Sequence, residues 1–176
     1  MSKNVLRNSN FRILLGMTLL LAGAFIYILS RPQANISFLR WIEYDISYMH
    51  QNSAWIKLLG SYLPDIIHPL AFTLITAGIL QTEKRNEIIG VCLFWLFLNT
   101  IFEFSQLFKA EVLLLLPAWV NQVPFLFNFR AFTQNGVFDP FDLLAYCYGS
   151  YLAYRILIKG GIKNEKVSQK YFISFF

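Results

Sequence analysis

The chain has 176 residues, 56% of them hydrophobic, 18% aromatic and only 14% charged, and a mean hydropathy of +0.48. That is too apolar for a soluble domain of this size and points to an integral membrane protein. The net charge of +5 lies in terminal and loop clusters beside apolar spans; this excludes a nucleic-acid module, whose basic residues interleave with aromatics, and suits phospholipid headgroups.

The first apolar span, residues 13–30, runs eighteen residues without a charge between Arg12 and Arg31. At about 1.5 Å per residue it reaches roughly 27 Å, close to a bilayer core of about 30 Å. Lys3, Arg7 and Arg12 would also suit a signal peptide, but the stretch is long and "LSRPQA" is a poor cleavage site, so an uncleaved helix is expected. The segment 35–60 carries Ile36, Leu39, Ile46 and Met49 at helical spacing with Trp and Tyr interspersed, which predicts a helix lying along the membrane interface.

Two spans follow, 63–80 and 88–108, joined by the charged turn "QTEKRNE". Residues 111–129 are apolar but broken by Pro117 and Pro124, so short interfacial or re-entrant helices are expected there. The last span, 141–158, opens on "DPFD". Asp139 suits the N-cap, Pro140 the first helical position, and Asp142 the first turn, where negative charge meets the positive end of the helix dipole.

The expected fold is therefore an all-α integral membrane protein of one domain, with four transmembrane helices, an interfacial outer helix and a Pro-broken outer segment. Ten of the fifteen basic residues fall in the N-terminal segment, the loop at Lys84 and Arg85, and the tail from Arg155 onward, which predicts cytoplasmic N- and C-termini. Cys92 and Cys147 stand alone in apolar runs and read as buried small hydrophobes rather than a zinc site. No internal repeat, phosphate loop or other cofactor signature is present, and neither a metal nor a cofactor is expected.

Alternating helix direction brings the embedded polar residues of the later spans to one membrane face, the extracytoplasmic one. Asp65 and His68 fall near the start of the second span, and Asn99, Glu103 and Gln106 follow i, i+4, i+7 on one face of the third. Asp142 and Tyr146 share a face of the fourth, with Arg130 in the loop before it. An intramembrane carboxylate costs roughly 2.5–3.5 kcal/mol at a helix centre and is usually turned inward, so Glu103 is the first candidate for a functional group. The bland readings are that Asp139 is only a cap, that Asn99 and Gln106 are glue between helices, and that His68 is a satisfied histidine near the headgroups.

"FEFSQ" on the third span and "GVFDPFDLLAYCYG" on the fourth, with "LPDIIHPLAFTLITAGIL" on the second, resemble the VanZ-like family of small membrane proteins over roughly residues 60–158. On that resemblance His68 matches the family's histidine, Glu103 and Gln106 its E-x-x-Q pair, and Asp139, Asp142 and Gly149 its last-helix motif. Two positions depart from the pattern: Arg130 stands nine residues before Asp139 where the family often has a closer Arg, and Tyr146 stands where it often has Asn. The resemblance implies a role in the envelope of a bacterial cell, at its inner membrane, in a family associated with low-level teicoplanin resistance, and implies no reaction. The leading expectation is a protein that binds a lipid headgroup, a lipid-linked precursor or an envelope partner at the polar cluster, alone or as a homo-oligomer. An intramembrane enzyme with Glu103 or Asp142 as base, and a proton-coupled transporter in which Glu103 titrates, are the alternatives.

Overall fold

The structure, a computed structural model, describes residues 8–30, 54–117, 119–120 and 123–160, with side chains at 54–58, 124–128 and 131 outside the description. The described residues form six helices and no strand: α1 (Ser9–Ser30), α2 (Ala54–Ile79), α3 (Arg85–Leu107), α4 (Lys109–Leu115), α5 (Pro124–Asn135) and α6 (Pro140–Lys159). Three are long and apolar enough to cross a membrane: α1, the Leu59–Ile79 part of α2, and α3. The described residues are thus all-helical, and their three long apolar helices mark a membrane protein.

Three of the described helices, α1, α3 and α6, start on a side-chain oxygen. The Asn8 side chain accepts the N–H groups of Asn10 and Phe11 at 2.9 and 3.4 Å and opens α1. The Glu87 carboxylate reaches back to the N–H groups of Glu83 and Lys84 at 3.3 Å each and holds the entry to α3. Asp139 Oδ1 accepts the Phe141 N–H at 2.9 Å, with Pro140 in the first turn of α6. Such side-chain oxygens satisfy donors that the first helical turn leaves without an intrahelical partner.

α2 departs from the sequence expectation. Its span was expected to begin at 63, with Pro64 at the start; the helix begins at Ala54 and carries Pro64 and Pro69 inside it. Proline removes a backbone donor and usually ends a helix in water, whereas a bilayer offers the chain no better alternative than helix. Of the expected interfacial helix, residues 35–53 lie outside the described residues and 54–60 belong to α2. α4 ends before Pro117, and Pro124 opens α5, so the Pro-broken outer segment forms two short helices as expected.

α2 is the centre of the packing, with α1 on one side and α6 and α3 on the other. Small residues allow the close approach. A Cβ on Gly16 would stand 2.8 Å from the Ala71 carbonyl oxygen, and one on Gly149 would run into the Ile66 carbonyl oxygen. Lipid tails supply no hydrophobic drive between helices, so such backbone proximity, with its dispersion contacts, is what holds membrane helices together. At the other end of the bundle Leu74, Ile88, Ala153 and Leu157 form the dry core. There Arg12, 2% exposed, donates from Nη1 to the Thr82 carbonyl at 2.7 Å and ties α1 to the α2–α3 turn. Cys92 is buried as expected, but Cys147, on α6, is exposed.

Candidate functional site

The polar residues gather at the end of the bundle where α1 and α3 finish and α2 and α6 begin. Asn99, Glu103 and Gln106 are all buried on α3, in keeping with their spacing on one face. Glu103 is only 1% exposed. Its Oε1 accepts the Asp139 N–H at 2.8 Å and its Oε2 accepts from Gln106 Nε2 at 3.2 Å. The carboxylate therefore anchors the start of α6 to α3. Gln106 also packs directly on Gly136 in the connection before α6.

Asp139 serves both sides of that junction, its N–H bonded to Glu103 and its side chain capping α6. Asp139→Asn is expected to be neutral, because Asn caps as well as Asp. Asp139→Ala is expected to cost about 0.5–2 kcal/mol through the lost cap, since its N–H can still reach Glu103. A thermal unfolding midpoint in detergent measures both.

Tyr146, buried on α6, donates to Asp65 Oδ1 at 3.5 Å and lies near the charges of Glu103 and Asp142. Arg130 does not sit in a loop as expected; it is half-buried within α5, a helix that continues to Asn135. α5 docks on α3 through a hydrogen bond of 3.0 Å between Ser105 and Thr133 and through Phe102, whose ring meets Phe129 and Phe132 edge-on at 5.2 and 5.8 Å.

A cavity of about 460 Å³ opens beside this junction. Its polar lining is Asp65 and His68 from α2, Asn99 from α3 and Tyr146 from α6, and its walls include Tyr27, Trp95, Phe102, Phe129 and Phe132. Of the polar residues that the sequence brings to one membrane face, Asp65, His68, Asn99 and Tyr146 line it; Glu103, Gln106, Arg130, Asp139 and Asp142 stand outside the lining. His68 lies about 13 Å along the helix from Leu59, well inside the span.

The cavity walls are braced. His68 Nδ1 is 3.0 Å from Asn99 Oδ1, and Asn99 Nδ2 donates to the Trp95 carbonyl at 2.7 Å. Phe72 stacks on Trp95 with centroids 4.6 Å apart and meets the His68 ring edge-on at the same distance. The Trp95 indole N–H donates to Thr76 Oγ1 at 2.9 Å. Sequence reasoning noted Asn99 and Tyr146 but had no reason to select Trp95 or the phenylalanines, because an aromatic residue in an apolar span carries no periodic signal of its own. Among the described residues no three His, Cys, Asp or Glu side chains are grouped as a metal site.

Comparison with protein-family models, with curated proteins and with solved structures gives no match to this chain in any of the three.

Proposed function

We propose that this chain is a VanZ-like, multi-pass protein of the bacterial inner membrane that holds the headgroup of a membrane lipid or of a lipid-linked envelope precursor in the cavity between α1, α2, α3, α5 and α6. In this reading α6 is the fourth span, both termini are cytoplasmic, and the cavity opens toward the extracytoplasmic side. The observation that carries it is the cavity itself: aromatic walls with a few convergent polar groups are the usual make-up of a small-molecule site. Here that combination lies within the membrane-embedded part of the bundle, where an acyl-anchored molecule can enter from the bilayer. Exposed Leu114, Leu115 and Trp119 just outside the bundle fit a segment resting in the headgroup region.

The binding test is lipid retention. The protein is extracted in mild detergent and the molecules that stay bound are identified by native mass spectrometry. The expected result is one retained class of lipid-anchored molecule, lost in Trp95→Leu, which removes the central wall of the cavity, at unchanged folding. Retention of bulk lipid only, indifferent to Trp95→Leu, would contradict the reading.

The orientation has its own test. A reporter active only in the cytoplasm is expected to work when fused after Lys163, and one active only outside when inserted near Asn52. The opposite pattern would turn the cavity toward the cytoplasm.

A further inference from the structure

A second cavity, of about 620 Å³, opens between α2 and α3 beside the turn that joins them. Thr76 on α2, Gln81 and Thr82 in the turn, and Glu87, Gly90 and Phe94 on α3 line it. It has room on its α3 side, since a Cβ on Gly90 would meet nothing within 4 Å. In the proposed orientation it is the inner cavity, at the cytoplasmic end of the two helices, and the headgroup cavity is the outer one.

A single layer of side chains separates the two. Trp95 walls the outer cavity, and Thr76 and Phe94 wall the inner one. The Trp95 indole N–H donates to Thr76 Oγ1 at 2.9 Å, and the Phe94 ring meets the indole edge-on at 5.4 Å. Phe72, one turn before Thr76, completes the layer by stacking on Trp95.

The order along α2 is continuous. His68, Phe72, Thr76 and Leu80 stand four residues apart on one ridge of the chain, so outer cavity, partition and inner cavity follow one another. From Pro64 in the outer lining to Leu80 in the inner the chain rises roughly 24 Å, most of a hydrocarbon core of about 30 Å. His68 in the outer cavity and Leu80, Gly90 and Phe94 in the inner one are exposed, and at this depth exposure is to acyl chains.

We infer that the α2–α3 seam passes phospholipid headgroups between the two leaflets, with the acyl chains left in the bilayer and the Trp95–Thr76 partition as the barrier. This rests on the proposed function, that the outer cavity takes a headgroup, and adds an exit from it on the cytoplasmic side. Unassisted exchange is slow because a headgroup must be stripped of water inside hydrocarbon, where its polar atoms find no partner. Along the seam His68 and Asn99 offer partners on the outer side, and Thr76, Gln81 and Thr82 on the inner. The dry layer shrinks to the rise from His68 to Thr76, roughly 12 Å. The passage equilibrates the leaflets and needs no energy source.

The test uses the full chain in vesicles of phosphatidylcholine and phosphatidylglycerol with a trace of phosphatidylglycerol carrying the fluorophore NBD on an acyl chain. Dithionite added outside bleaches the label of the outer leaflet alone, so bleaching that runs to completion reports exchange. Completion is expected with the unchanged protein. Gly90→Phe fills the inner cavity from a position outside the outer lining. It is expected to return exchange to the protein-free rate while lipid retention in mild detergent stays as it was. Gly90→Leu, a smaller filling that keeps the comparison if the phenylalanine variant misfolds, is expected to slow exchange by less. Thr76→Val removes the acceptor of the Trp95 indole, frees the ring to turn, and is expected to speed exchange about threefold. Unchanged or slower exchange in Thr76→Val would overturn the partition as the barrier. Bleaching that stops at the outer leaflet with the unchanged protein, or exchange unaffected by either Gly90 variant, would overturn the passage. Lipid retention still sensitive to Trp95→Leu would then leave the headgroup site standing, and its absence would overturn both.

Discussion

Glu103→Ala is expected to leave little folded protein in detergent, while Glu103→Gln is expected to unfold within about 1 kcal/mol of the unchanged protein. The carboxylate is the acceptor for the Asp139 N–H and for the Gln106 amide at a position that is 1% exposed. Alanine strands both donors where water has little access, at about 1–3 kcal/mol each. It also leaves a gap where α6 begins. Glutamine keeps one oxygen for Asp139, and Gln106 can turn its amide over to present an oxygen to the new NH2 group. Glu103 makes no ion pair among the described residues, so removing its charge leaves no buried cation without a partner, and the desolvation penalty falls. Thermal unfolding followed by size-exclusion chromatography in detergent separates the two variants. Equal stability of Glu103→Ala and the unchanged protein would mean that α6 is anchored elsewhere.

Gly149→Leu is expected to prevent α6 from docking, and Gly149→Ala to cost about 1–3 kcal/mol through forced separation of two helices. The atom a Cβ would meet is the Ile66 carbonyl oxygen, with the Pro69 ring 2.9 Å away; neither belongs to a flexible side chain that can swing aside. Gly90 is the control, since a Cβ there has nothing within 4 Å. Gly90→Ala is expected to be neutral or slightly stabilising, because glycine within a helix costs roughly 1 kcal/mol relative to alanine. If the same unfolding measurement places the two alanine variants together, α2 and α6 do not approach as closely as described. The glycine that the VanZ-like pattern singles out thus has a packing duty that needs no ligand.

The start of α6 was legible because "DPFD" combines a cap, a proline and a first-turn acid, three local signals that agree. The buried face of α3 was legible because Asn99, Glu103 and Gln106 are sparse polar residues at helical spacing in an apolar run, and only one face can hide them all. The start of α2 was not legible, because Pro64 and Pro69 signal helix boundaries in water and lose that meaning where the backbone has no solvent to turn to. Arg130 was assigned to a loop because prolines framed the segment before it, whereas Pro124 opens a helix that carries Arg130 within it. The site itself divided in two. The residues that stood out by charge, Glu103, Asp139 and Asp142, cluster at the α3–α6 junction. The cavity next to them is walled mainly by Trp95, Phe102, Phe129 and Phe132, ordinary residues of apolar segments that become a site only when five helices come together around it.

The central claim, a headgroup cavity open to the outer side of the membrane, is tested most directly by cysteine accessibility in intact cells. On a background with Cys92→Ala and Cys147→Ala, His68→Cys and Thr73→Cys are each treated with a membrane-impermeant thiol reagent added from outside. His68 is exposed and lines the cavity, whereas Thr73, little more than one turn further along α2, is fully buried. The account predicts labelling at position 68 from outside and none at position 73. It is contradicted if position 68 is silent from outside, or reacts only in inverted vesicles where the reagent meets the cytoplasmic face.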